Sequence, residues 1–113
     1  MAEFTQGQVI NAEVGIEMNG SIGGSIIGVF KVGDITKSIK FDVAATGSYI
    51  LDFDNITLDL SPGTYTADVT ITDAATGRSL GYASGSVIIK EAAVYKMALK
   101  ILNIKVNDTQ IYP

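Results

Sequence analysis

The chain has 113 residues, of which 47% are apolar and 18% charged, and its formal net charge is −4. A chain of this length forms one domain that can bury a stable core without disulfides or bound metal. It contains no cysteine, so disulfides and thiolate metal sites are excluded. The acidic balance argues against nucleic-acid binding, which needs a concentrated basic face, and no stretch approaches the roughly 18 to 20 apolar residues of a membrane span.

The first half of the chain contains three segments that are typical of β-strands. The first has apolar residues at every second position: Ile10, Ala12, Val14, Ile16 and Met18. Asn19-Gly20 follows it, and both residues tolerate the positive φ of a tight hairpin turn. The segments 26–32 and 35–43 come next. Lys37 falls on the inward side of the third segment, which predicts an edge strand.

Changes of phase in the alternation predict two irregular strands. Two apolar sets are offset by one residue: Tyr49, Leu51 and Phe53, and then Ile56, Leu58 and Leu60. A bulge is therefore expected at Asp54-Asn55, because a one-residue shift turns side chains to the opposite face. A similar shift separates Leu80 and Tyr82 from Val87 and Ile89. It predicts a kink at Ser84-Gly85.

Residues 58 to 89 carry the strongest fold signal. Hydroxylated or acidic residues alternate here with four inward residues, which are Tyr65, Ala67, Val69 and Ile71. The turn-rich segment 73–78 follows, and a second apolar segment begins at Leu80. About seven strands at regular spacing favour a two-sheet sandwich. The predicted fold class is all-β, an immunoglobulin-like antiparallel β-sandwich of about seven strands, with or without one short C-terminal helix.

The C-terminal segment is predicted to be the docking element. We divide the chain into a sandwich, residues 1–90, and a tail, residues 91–113, which packs on the sandwich or on a neighbouring subunit. Residues 91–103 fit both the helical and the strand period, and the three alanines and Asn103 favour the helix. The expected interface residues are apolar beyond what the sandwich needs: Val94, Tyr95, Met97, Leu99, Ile101, Leu102, Ile104, Val106, Ile111 and Tyr112.

No catalytic residue, cofactor or metal site is predicted. Histidine and cysteine are absent, so the usual general base and nucleophile–base pairs are missing. Asp52, Asp54 and Asp59 could supply oxygen ligands to calcium, but a solvated outer face is the preferred interpretation. Glycan binding uses aromatic platforms, and the chain has no tryptophan. Of its five tyrosines, Tyr49, Tyr65 and Tyr82 are expected to face inward, which leaves Tyr95 and Tyr112 as candidates for stacking on a sugar.

One short motif resembles a feature of Greek-key sandwiches. In Leu60-Ser61-Pro62-Gly63-Thr64-Tyr65, Pro62 and Gly63 would form the turn and Tyr65 would bond back to nearby backbone as a tyrosine corner. The longer run Pro-Gly-Thr-Tyr-Thr-Ala-Asp-Val-Thr-Ile-Thr-Asp, then Gly77-Arg78 and 85–89, is similar to immunoglobulin-like modules of tailed-bacteriophage structural proteins. These include the N-terminal domains of baseplate upper proteins. The likeness covers about a third of the chain closely.

This resemblance implies a virion structural or assembly protein, either a capsid decoration or a tail or baseplate component. The missing histidine and cysteine predict that it is not an enzyme. Its partners would be itself and other virion proteins, with no nucleic acid and no membrane. It would be made in the host cytoplasm, because the opening Met-Ala-Glu-Phe-Thr-Gln-Gly does not resemble a signal peptide. The rival interpretation is a carbohydrate-binding or adhesion module on a virion or cell surface.

Overall fold

The structure, a computed structural model, describes residues 2–92 and 97–112. Over these residues it contains nine β-strands and no helix, so no described helix is long and apolar enough to cross a membrane. The strands are β1 (Ala2–Thr5), β2 (Val9–Asn19), β3 (Gly24–Val32), β4 (Ile35–Val43), β5 (Thr46–Thr57), β6 (Gly63–Asp73), β7 (Ser79–Lys90), β8 (Ile104–Val106) and β9 (Thr109–Tyr112).

Seven of the strands form two sheets. The larger sheet has the order β1-β7-β6-β3-β4, and the smaller one pairs β2 with β5. All of these pairs are antiparallel except β1 with β7, which is parallel. The exposed Lys37 lies on β4, at one edge of the larger sheet, as the sequence predicts.

The core lies between the two sheets. Leu51 and Phe53 of β5 are completely buried, and the Phe53 ring packs against Phe30 of β3 with 5.8 Å between the ring centroids. Gly28 of β3 also lies under both β5 side chains. The apolar faces of the two sheets thus cover each other, and the fold is an all-β sandwich, as predicted.

The predicted bulge between Phe53 and Ile56 is confirmed. Ala12 is paired with Phe53 and Ile10 with Ile56, so two residues of β5 lie opposite the single residue Asn11. Asn55 has a φ of 58°, a left-handed conformation that asparagine adopts more readily than most residues. The bulge turns Ile56 back toward the core, where it is buried.

The predicted kink at Ser84-Gly85 is wrong. The pairing of β7 with β6 runs without interruption from Gly81 to Ile89, and its register shift lies at Leu80 instead. Gly81, Ala83 and Gly85 are in phase with the buried Ile89 and face inward. Tyr82 therefore lies on the outer face, where its exposure is 65%. The expected inward position of Tyr82 is also wrong.

The expected hairpin at Asn19-Gly20 does not form. β2 pairs with β5, and β3 belongs to the other sheet, so the connection between β2 and β3 crosses from one sheet to the other. The backbone N–H of Gly20 donates to the carbonyl of Ala45, the residue just before β5. A non-local pairing therefore replaces the local turn that the dipeptide favours.

Over its described residues, the C-terminal segment 91–103 adopts neither the helix nor the strand that its sequence pattern allows. Residues 91, 92 and 97–103 are neither helix nor strand, and 93–96 lie outside the described residues. The strands of this region come later, as the short hairpin β8–β9. The expected helix is absent from the described part of the tail.

Candidate interaction surface

The described part of the tail, residues 97–112, is exposed at every position. Met97 is 102% and Leu99 87% exposed, so neither side chain packs on the sandwich. The whole chain measures 91 × 23 × 20 Å, with a radius of gyration of 24.9 Å. A compact chain of this length would have a radius of gyration of about 13 Å. The tail therefore extends away from the sandwich.

The end of the tail is a tight hairpin. Val106 pairs with Thr109 across Asn107 and Asp108, whose φ values are 47° and 64°. Two central residues with positive φ are the requirement of a type I′ turn, and Asn and Asp tolerate that conformation. An isolated two-stranded hairpin is marginally stable in water. This hairpin therefore needs further packing to become a stable structure.

Eight of the ten residues that the sequence predicts as an interface are on this exposed segment. They are Met97, Leu99, Ile101, Leu102, Ile104, Val106, Ile111 and Tyr112. Val94 and Tyr95 lie outside the described residues. Burying a large apolar side chain contributes about 1.5–3 kcal/mol. A partner that covered several of them would gain a large apolar contribution to binding.

The predicted fold-defining residues lie at the start of β6. The Tyr65 hydroxyl donates to the carbonyl of Ser61 at 2.6 Å, the backward bond expected of a tyrosine corner. Pro62 and Gly63 lie between the two bonded residues. The bond secures the loop before β6 and lies apart from the tail.

The other candidate ligand sites of the sequence have little geometry to support them. Tyr49 is half-buried, and its ring meets Phe41 edge-on with 5.6 Å between centroids. Asp52, Asp54 and Asp59 are exposed, and the described residues contain no group of three or more acidic side chains able to hold a metal ion. Among the described tyrosines, Tyr82 and Tyr112 have exposed rings that a flat ligand could reach, and the predicted candidate Tyr95 lies outside the described residues.

One ion pair ties β1 to the sandwich. The Lys90 ammonium lies 2.7 Å from the Glu3 carboxylate, and both side chains are about half exposed. The hydrogen bond from Lys90, followed by its positive charge, lowers the pKa of Glu3 below its usual value. The pair links side chains of the two strands beside the parallel pairing of Ala2–Thr5 with Val87–Lys90.

Sequence reasoning missed the edge of the larger sheet formed by residues 79–86 of β7. Leu80 and Tyr82 are 49% and 65% exposed there. The available signal was the series Gly81, Ala83 and Gly85, which is in phase with Val87 and Ile89 and makes a continuous strand with small inward residues. The larger apolar side chains of Leu80 and Tyr82 obscure this series, because placing them inward requires a kink before Val87.

Comparison with known proteins does not assign the chain to a family. No protein-family model matches the sequence, and no curated protein matches it.

Proposed function

We propose that this chain is a structural protein of a tailed-bacteriophage virion, a capsid decoration or a tail or baseplate component, that assembles through its C-terminal tail. The observation that carries the assembly role is the complete exposure of residues 97–112, of which nine are apolar. A soluble chain rarely leaves so many apolar residues in water unless a partner covers them.

The virion assignment is supported by the similarity of residues 62–89 to phage immunoglobulin-like modules. The strand order β1-β7-β6-β3-β4 opposite β2-β5, and the bond from Tyr65 to Ser61, are compatible with such a module. Gene order tests this part of the proposal. Capsid and tail genes on either side of the coding sequence would support it, and an export operon would contradict it.

Light scattering on a tail variant tests the assembly role. Leu99→Asp with Ile101→Asp places two charges on the exposed apolar segment, and we expect it to convert a defined oligomer into monomer. The matched control, Thr109→Asp with Gln110→Glu, adds the same charge to the tail at exposed polar positions outside residues 97–103 and should keep the oligomer. A full-length chain that is monomeric at all concentrations would contradict the proposal.

The second candidate function is carbohydrate binding, and the exposed ring of Tyr82 is the observation that favours it. Tyr82 lies on the outer face of β7 beside Thr70 of β6, where a ring and a hydroxyl could meet a sugar. A glycan array would show binding that Tyr82→Ala removes and Tyr49→Phe keeps. An array without any binding would exclude this alternative for the glycans it contains.

A further inference from the structure

The free part of the β7 edge is a place where a strand can be added. β1 pairs with Val87–Lys90, and among the described residues no strand pairs with the outer side of 79–86. Alternate backbone N–H and C=O groups of these eight residues therefore point away from the sheet without a strand partner. Such an edge is a template for another extended chain.

The interior of the sandwich is open behind this edge. Gly81 and Gly85 pair with Ile71 and Ala67 of β6, so all four lie on the inner face. A Cβ added at either glycine would meet no described atom within 4 Å. Ile89 lies on the same inner face, in the part of β7 that pairs with β1, and is only 1% exposed. The core is closed beside β1 and open beyond it.

The opposite sheet is incompletely covered on the same side. The inward residues of β2 are only half-buried, whereas Leu51 and Phe53 on the neighbouring β5 are fully buried. One cavity of about 220 Å³ lies among Ile16, Met18, Ile71, Leu80 and Gly81. A second, of about 160 Å³, includes Val14, Phe30, Val69 and Ala83 in its lining. We call this opening between β2 and β7 the β2/β7 groove.

Residues 97–103 have the properties of a strand that would fill the groove. Met97, Leu99 and Ile101 alternate with Ala98 and Lys100, so an extended segment presents three large apolar side chains on one face. These would enter the space left by Gly81, Ala83 and Gly85. Seven extended residues span about 23 Å at 3.3 Å per residue, which fits within the roughly 26 Å of the eight-residue free edge.

We infer that residues 97–103 of one copy insert as an added strand along 79–86 of a second copy and close the β2/β7 groove. This inference rests on the proposed assembly function and names its acceptor site. The tail leaves the sandwich after Lys90, at the end of β7 that β1 already covers, so its own chain would have to cross β1 to reach the groove. A second copy meets no such obstacle and carries the same groove.

Filling the groove is the direct test. Gly81→Val with Gly85→Val adds side chains where the space is open, and neither glycine has a positive φ. We expect this full-length variant to remain folded and to become monomeric. The control Gly15→Val adds the same side chain on the outer face of β2, where space is also open, and should keep the oligomer.

The outcomes separate the acceptor site from the tail's role. If the groove variant stays oligomeric while Leu99→Asp with Ile101→Asp is monomeric, the tail mediates assembly but the groove is not its acceptor. If the tail variant also stays oligomeric, the proposed function itself fails. Loss of the oligomer in both variants, with Gly15→Val unaffected, supports the inference.

Cross-linking tests the contact itself, because the native chain has no cysteine. Ser84→Cys in one copy should form a disulfide with at least one of Ala98→Cys, Lys100→Cys or Leu102→Cys in another. Ser38→Cys, on the exposed edge strand β4 at the far side of the sheet, is the control and should not react. A covalent dimer through residue 38 but none through residue 84 would overturn the inference.

Discussion

The side-chain oxygen of Asn11 accepts a hydrogen bond from the backbone N–H of Asn55 at 3.0 Å, at the bulge in the pairing of β2 with β5. Asn55 is one of the two β5 residues that lie opposite Asn11 at the bulge, and it has a left-handed φ of 58°. One polar side chain on β2 thus satisfies the donor that the bulge removes from the regular ladder. The bulge in turn keeps both Phe53 and Ile56 in the core.

Removing this acceptor should destabilise the sandwich. Asn11→Ala leaves the Asn55 N–H to water, and because the site is exposed we expect a loss of about 0.5–1.5 kcal/mol in the free energy of unfolding. Asn11→Asp keeps an acceptor oxygen and is the control. Urea denaturation of both variants measures the difference. Equal stability of Asn11→Ala and the native chain would show that the bond contributes nothing.

Tyr65→Phe should cost about 0.5–1.5 kcal/mol, since it removes the bond to the Ser61 carbonyl and keeps the ring. Tyr82→Phe removes a hydroxyl from an exposed ring and serves as the control. Chemical denaturation of the two variants compares them directly. A larger loss for Tyr82→Phe than for Tyr65→Phe would contradict the role given to the corner.

Gly28 is a position where the core has no room. An added Cβ would lie 3.1 Å from both the Leu51 Cδ2 and the Phe53 Cζ, and both side chains are completely buried. Gly28→Val should therefore destabilise the sandwich by about 1–3 kcal/mol through overpacking. Gly15→Val, in open space, provides the comparison. Thermal unfolding of the two variants should give a clearly lower midpoint for Gly28→Val.

Acid should weaken the attachment of β1. The pKa of Glu3 is lowered in the folded chain by its bond to Lys90. A lowered pKa means that the stabilisation is present above the unfolded-state pKa and is lost as the pH falls through the folded-state pKa. Glu3→Gln and Lys90→Gln should both flatten this part of the pH profile. Hydrogen exchange of the β1 amides between neutral and acid pH measures the effect, and an unchanged profile in both variants would exclude it.

Local alternation predicted the strands and the bulge because side-chain direction in a strand depends on period alone. It failed where large apolar residues are not inward. Tyr82 lies on the outer face because the inner face of β7 there carries Gly81, Ala83 and Gly85, and Leu80 is the unpaired residue at the register shift. No local pattern reveals that this part of the core is left open. Asn19-Gly20 favours a hairpin locally, but the pairing of β2 with β5 is a non-local choice.

The apolar character of the tail could be predicted, but its conformation could not. Residues 97–103 satisfy two periods, and in the structure no packing surface selects one of them. The acceptor groove was not predicted, because it depends on how far β1 extends along β7. That boundary comes from pairing between distant parts of the chain.

Light scattering of the full chain beside a version that ends at Glu91 tests the central claim most directly. The core cluster lies within residues 26–89, so the shortened chain should keep its sandwich. We predict a defined oligomer for the full chain and a monomer for the shortened one. A full chain that is monomeric, or an oligomer that survives removal of the tail, would contradict assembly through the C-terminal segment.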